Sequence, residues 1–210
     1  MIIGFSGLAG SGKDSTANII AKNHENWIKI SFAKAMKDAV AEMYGLPRDL
    51  LEGDTTESRE WREKPNEFWS EKLGIENLTP RKILQSFGTD VIRNHISPDF
   101  WVFRLEYELD KLEKEGKNIL ITDVRFPNEA EMIRRHGGKI WHVFCGKIPK
   151  WFEDYRIKHI IPKNIHESEY KWADVAPDIV IHPSYKNLTL LEKIVEDVYE
   201  LKFENQQERI

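Results

Sequence analysis

The sequence predicts an α/β layered fold, and three observations predict it. Short apolar runs alternate with amphipathic helical stripes along most of the 210 residues. A glycine-rich turn joins the first run to the first stripe. A later run, "NILITDVRF", is apolar until it ends on charged groups, as a buried strand does when it delivers side chains to a crevice.

The elements follow in order. "MIIGFSG" reads as a buried strand entering a turn, and "KDSTANIIAK" as the helix after it. "WIKISFA" alternates and predicts a second strand. Met36, Ala39, Val40 and Met43 recur at helical spacing. From Pro47 to Asn77 the chain is charged and irregular but carries Trp61, Phe68 and Trp69, which predicts a mobile flap serving either a dimer interface or a substrate. Thr79-Pro80 pairs an N-cap residue with a first-turn proline, and Ile83, Leu84, Phe87 and Val91 give that helix one apolar face. A helix is expected from Trp101 to Glu115, stopped by Gly116. After "NILITDVRF", Pro127 opens a helix that Gly137-Gly138 closes. "KIWHVF" and "DIVIHP" are further strands, separated by a basic, aromatic stretch from Lys147 to Lys171. Leu188, Leu191, Ile194, Val195, Val198 and Leu201 mark a closing helix, and the polar tail after Phe203 is expected to fray.

Composition narrows the function classes. Hydrophobic residues make up 40% and charged residues 31%, a globular balance. The formal net charge of -4 argues against a general nucleic-acid-binding surface. A single cysteine, Cys145, allows no internal disulfide and fits a reducing, cytoplasmic compartment. Neither a basic leader nor an apolar run of spanning length is seen, so a soluble protein with no membrane partner is expected.

The strongest chemical signal is Gly7-Leu8-Ala9-Gly10-Ser11-Gly12-Lys13, which matches G-x-x-x-x-G-K. Glycines at this spacing let backbone N–H groups close on phosphate oxygens, and the following helix adds its positive end. Gly10, Ser11, Gly12, Lys13, Asp14 and Ser15 are thus the candidate ATP-binding residues. Asp14 stands where a metal-binding hydroxyl is usual. Either Asp14 itself or Ser15 can meet Mg²⁺, since both offer hard oxygen.

Asp123 and Arg125, at the end of "NILITDVRF", are the second candidate pair. Asp123 can hold Mg²⁺ through water, act as a base or bind substrate. Arg125 can clamp a phosphate with two parallel bonds. In "LQSFGTDVIRNHISPDFW", Gln85 can read a base edge, Arg93 can meet phosphate, and Trp101 or Phe100 can stack on a base. Lys147, Lys150, Arg156, Lys158 and Lys163 are placed where a closing lid would bring cations to a moving phosphoryl group. His159, His166 and Cys145 lack zinc spacing.

The pieces "SGLAGSGKDST", "FAKAMK", "LQSFGTDVIRNHISPDFW", "TDVRFPNEAEMIRRHGG" and "HESEY" line up in order with one family. The chain resembles the deoxynucleoside monophosphate kinases of tailed bacteriophages and other large DNA viruses. That resemblance implies a P-loop nucleoside monophosphate kinase fold: a single domain over 1–210, a three-layer sandwich on a parallel sheet, with a flap at about 47–77 and a lid at about 147–171. It implies ATP as donor, Mg²⁺, a 5′-monophosphate acceptor, and the cytoplasm as the site of action, that of the host if the chain is virus-encoded. It also implies that Ala33 and Lys37 lie near the monophosphate, that Arg125 belongs to the phosphate clamp, and that "HESE", with Glu169, lies near the lid. Small nucleotides are then the partners, and a homodimer remains open. Two other readings fit the same residues: a kinase for a hydroxyl acceptor with Asp123 as base, and a nucleotide-binding module without turnover.

Overall fold

The structure, a computed structural model, describes residues 1–183 and 187–204. The chain divides into two compact units, one formed by Met1–Ser31 with Glu106–Ile210 and the other by Phe32–Leu105.

The first unit is built on a five-stranded sheet: β1 (Ile2–Ser6), β2 (Trp27–Ile30), β3 (Asn118–Ile121), β4 (Lys139–Val143) and β5 (Ile179–Ile181). All neighbours pair in parallel in the order β2-β3-β1-β4-β5. β1 is therefore central, and all five of its residues are buried. A parallel strand covered on both faces reads as a continuous apolar run, which is why "IIGF" is legible. The chain leaves β1 toward one edge and later returns to its other side. The crevice at such a reversal lies beyond the carboxyl ends of the strands, just where the glycine turn follows β1.

Helices cover both faces. α1 (Lys13–Asn23) and α9 (Leu188–Tyr199) bury Ala17, Ile20, Leu191 and Val195 against Ile3, Phe5, Trp141 and Val143. On the other face lies α7 (Pro127–Arg135). A Cβ on Gly4 would stand 2.6 Å from Ile133 Cδ1, so glycine sets how closely α7 approaches β1. This is the expected sandwich with a parallel sheet. α8 (Lys150–Lys158) follows β4 and is clamped by Phe152, which is fully buried with Phe144 and Trp172. α6 (Phe100–Lys114) begins in the second unit and ends in the first, stopping before Gly116 at φ 68°. α9 runs on into a wider turn over Glu200–Glu204, and the tail expected to fray lies, from 205 onward, outside the described residues.

The second unit contains α2 (Ala33–Tyr44), α3 (Thr56–Glu63), α4 (Glu67–Leu73) and α5 (Pro80–Gln85). Its core is Val40, Leu46, Leu51, Leu78, Ile83 and Leu84, with Trp61 and Trp69 packed against it. The stretch from Pro47 to Asn77 is thus not irregular: it carries two capped helices. Thr55 Oγ1 accepts from Ser58 N–H at 3.1 Å, and Asn66 Oδ1 from Trp69 N–H at 3.0 Å. α5 begins at Thr79-Pro80 as expected, then widens into π-helical turns over Ser86–Ile96. The widening rotates Val91 out to solvent, and Met43 at the end of α2 is exposed too. Gly88 lies in these turns, and a Cβ there would meet Met36 Sδ at 2.3 Å.

Candidate active site

The glycine turn closes on itself before any ligand is considered. Gly7, Gly10 and Gly12 take φ of 150°, 73° and 96°, values that disfavour a side chain. A Cβ on Gly7 would stand 2.2 Å from Val143 O, so that position is closed twice over. A Cβ on Gly10 meets nothing within 4 Å, so the loop is open on that side. Gly12 caps α1, whose first residues Lys13, Asp14 and Ser15 carry N–H groups that a helix cannot satisfy internally. Thr16 Oγ1 is tied to Gly12 O at 3.0 Å, whereas Ser11 Oγ is buried with no partner among the described residues. An orphaned buried hydroxyl beside unsatisfied N–H groups is an arrangement suited to an anion.

Lys13 Nζ crosses the loop and donates to Gly7 O and Leu8 O, each at 2.9 Å. Desolvation, and then the positive charge of Arg125, pull its ammonium down to about 8, against the opposing pull of Asp14, Glu169 and Asp123. The five charged residues singled out from distant parts of the sequence therefore share one neighbourhood. Arg125 lies past the end of β3, beside the loop after β1. Burial works against its charge, but Glu169, Asp123 and Glu129 outweigh this and raise its pKa. Its Nη1 donates to Ser168 O at 2.9 Å and Glu169 Oε1 at 3.3 Å.

Glu129 was not foreseen. It is buried, and its Oε2 accepts from Arg125 N–H at 2.6 Å and Phe126 N–H at 3.1 Å. Its signal was present: the third residue of a helix opened by Pro127 is where a carboxylate turns back to orphan N–H groups. Leu8, Trp151 and Ile165 were also unforeseen. With Ser11, Lys147 and Glu169 they line a cavity of about 320 Å³ beside the loop. Of the basic residues in this stretch, Lys150 and Lys158 both pair with Asp154, at 3.0 and 2.8 Å.

No group of three or more histidine, cysteine or carboxylate side chains that could hold a metal ion is found among the described residues, so the oxygens available to a hard cation are few. The Asp14 and Asp123 carboxylates act on Lys13, and Ser15 adds a hydroxyl in the first turn of α1. Asp14 is exposed and Ser15 half-buried.

The remaining candidates belong to the second unit. Ala33 opens α2, and Lys37 one turn on donates to Glu52 Oε2 at 2.6 Å. Gln85 ends α5 and is half-buried. Arg93 is buried and donates to Pro98 O at 2.6 Å. Trp101 is a core residue whose indole N–H donates to Gly88 O at 2.9 Å.

Comparison with known proteins supplies the context. A family model described as deoxynucleotide monophosphate kinase matches residues 50–163. An Acanthamoeba polyphaga mimivirus protein described as a kinase of that type is 33% identical over 147 residues, covering 66% of this chain and 70% of its own. The deoxynucleoside-5′-monophosphate kinase of Escherichia phage T5 is 26% identical over 186 residues, covering 64% of this chain and 72% of its own. The deoxynucleotide monophosphate kinase of Enterobacteria phage T4 is 26% identical over 195 residues, covering 68% of this chain and 80% of its own. Among solved structures, dephospho-CoA kinase from Campylobacter jejuni superposes with a TM-score of 0.50 over 95% of this chain and 96% of that one. At 14% identity that likeness speaks for the fold alone.

Proposed function

The chain belongs to the deoxynucleotide monophosphate kinase family and is a kinase that phosphorylates nucleotides, and we propose that it moves the γ-phosphoryl group of ATP onto the 5′-phosphate of a (deoxy)nucleoside monophosphate. The observation that carries this reading is the glycine loop with Lys13 folded across it, its Nζ on Gly7 O and Leu8 O at 2.9 Å, and the charge of Arg125 acting on that ammonium. Two like charges in a partly desolvated site repel each other, and a polyanion shared between them removes that cost.

The acceptor needs no strong base. A monophosphate is largely dianionic at neutral pH, its second pKa being about 6. Catalysis then rests on alignment and on cancelling charge as the phosphoryl group moves in line between two oxygens. The loop N–H groups and Lys13 would hold the ATP phosphates. Arg125 would orient the acceptor phosphate. Asp14, Ser15 and, through water, Asp123 would hold Mg²⁺, which supplies charge neutralisation at the outer phosphates. Ala33 and Lys37 would serve the acceptor side, as the family resemblance suggests, and Gln85, Arg93 and Trp101 are further candidates by their own chemistry. The stretch at 147–171 would act as a lid that excludes water.

An ADP-release assay over a panel of nucleosides and their 5′-monophosphates tests the reading. Turnover is expected with one or more deoxynucleoside monophosphates and none with nucleosides. Activity confined to unphosphorylated acceptors would transfer Asp123 to the role of general base. ATP binding without turnover for any acceptor would leave a binding module.

A further inference from the structure

A carboxylate is a poor ligand for a phosphate, because two anions repel. Glu169 nevertheless sits in the charged cluster, and it points at a cation: its Oε1 accepts from Arg125 Nη1 at 3.3 Å, next to the 2.9 Å bond from the same nitrogen to Ser168 O. Both acceptors belong to one short turn, Glu167–Glu169. We infer that Glu169 is a positioning residue, which aims the Arg125 guanidinium at the acceptor phosphate and ties its orientation to helix α8. The inference rests on the reading of Arg125 as a phosphate ligand.

Two separate holds act on Arg125. Its main chain is fixed by Glu129, a buried carboxylate that takes the N–H groups of Arg125 and Phe126. That hold leaves the long side chain free to rotate, and an arginine side chain carries about 2 kcal/mol of rotamer entropy. The second hold acts on the guanidinium itself through Ser168 and Glu169. The Arg125 side chain is 41% exposed, so a ligand can reach it while the Glu169 contact persists. Both bonds use Nη1, and a guanidinium offers five N–H donors, enough to grip a phosphate as well.

The turn that carries Glu169 is itself anchored. His166 Nδ1 bonds Ser168 Oγ at 2.8 Å, and Glu169 N–H donates to His166 O at 2.9 Å. On the far side, Trp172 Nε1–H donates to Glu169 O at 3.0 Å. Trp172 is fully buried and stacks on Phe152 of α8, with ring centroids 4.9 Å apart at 22°. A shift of α8 is thus passed through Phe152 and Trp172 to the backbone of Glu169, and from its carboxylate to Arg125. Closure of the segment and orientation of the acceptor become one event.

A double-mutant cycle on the full-length enzyme tests this, using the fastest-turning of dAMP, dGMP, dCMP and dTMP. Glu169→Ala is expected to raise the monophosphate KM about tenfold, the loss typical of one misaligned contact, with the ATP KM unchanged. Glu169→Gln keeps an acceptor oxygen and is expected to recover most of that loss, which also guards against a folding defect in the alanine variant. Combined with Arg125→Ala, Glu169→Ala should add nothing, because its effect passes through the guanidinium. An unchanged or lowered monophosphate KM in Glu169→Ala overturns the inference while Arg125→Ala remains impaired. So does an additive double variant, which would mark Glu169 as merely structural. If Arg125→Ala turns over as the native enzyme does, both the inference and the reading beneath it fail.

Discussion

Two clusters of charge, one in each unit, are built from the same residue types and behave oppositely. In the second unit Lys37 and Arg48 share the Glu52 carboxylate, and Arg48 also reaches Asp38. Burial there pushes Glu52 up, but Lys37 and Arg48 outweigh it and hold it below the usual range; burial also works against the Arg48 charge, but Asp38 and Glu52 outweigh that and raise its pKa. Each charge is met. In the first unit Lys13 bonds the carbonyls of Gly7 and Leu8, and desolvation, then the charge of Arg125, draws it down to about 8 against Asp14, Glu169 and Asp123. A folded chain carries such a desolvated charge at a cost, and strongly perturbed groups of this kind cluster at functional sites. The contrast is the one expected between a charge cluster that stabilises and one proposed to bind.

The largest test of that contrast is Lys13→Met. Turnover is expected to fall at least about a thousandfold, the scale of losing a principal charge on a transferring phosphoryl group. Thermal stability without ligand should hold or rise, because methionine removes a desolvated charge. A drop in both would mean that Lys13 supports the fold, and the two clusters would be alike. Next in size is the alkaline limb of activity. Burial and Arg125 lower Lys13 from the ordinary lysine value of 10.5 to about 8, so the folded state gives up its proton first. kcat/KM for ATP should therefore decline above about pH 8, by up to about tenfold per unit. Ligand-free stability should rise between about 8 and 10.5, since there the unfolded chain binds more protons. An alkaline limb unchanged in Lys13→Arg would assign the titration to another group.

The Lys13 cluster was legible because its parts are local signals: glycines at fixed spacing, and charges that end an apolar run. The sheet and α1, α7 and α9 were legible for the same reason, through strands buried on both faces and clear helical stripes. α3 and α4 were not. "TESREWRE" and "EFWSEKL" show no apolar stripe, and their helices are announced only by Thr55 and Asn66 as caps. The turns over Ser86–Ile96 defeat a 3.6-residue period, so the stripe holds through Ile83, Leu84 and Phe87 and fails at Val91. Glu129, Trp151 and Ile165 depend on which loops meet, which no window of sequence contains.

A smaller effect concerns His142, a third kind of unmet polar group. It lies on β4 in register with Ser6, and its Nε2 has no partner among the described residues. Desolvation first, then the charges of Arg156 and Arg134, lower its pKa from 6.5 to about 4. Between those values the unfolded chain binds more protons, so stability is complete above about pH 6.5 and is lost as pH falls toward 4. The loss is at most about 3 kcal/mol. His142→Phe should flatten that acid slope in chemical denaturation series, keeping an aromatic ring against Trp172 at 5.1 Å. An unaltered slope would move the acid sensitivity elsewhere.

The smallest expected effect is the sharpest check on the comparison. If the Lys37–Glu52–Arg48 cluster only stabilises, Glu52→Gln should cost about 0.5 kcal/mol, the usual worth of a largely solvated ion pair, and leave kcat within about twofold. The family resemblance, however, puts Lys37 near the acceptor monophosphate, and Glu52 holds its ammonium at 2.6 Å. Releasing that hold leaves Lys37 with one less competing anion. A fall in monophosphate KM in Glu52→Gln, abolished when Lys37→Met is added, would show that Lys37 is shared between stability and binding. The second cluster would then be a ligand site whose charge is cancelled in advance, and the two units would differ in degree only.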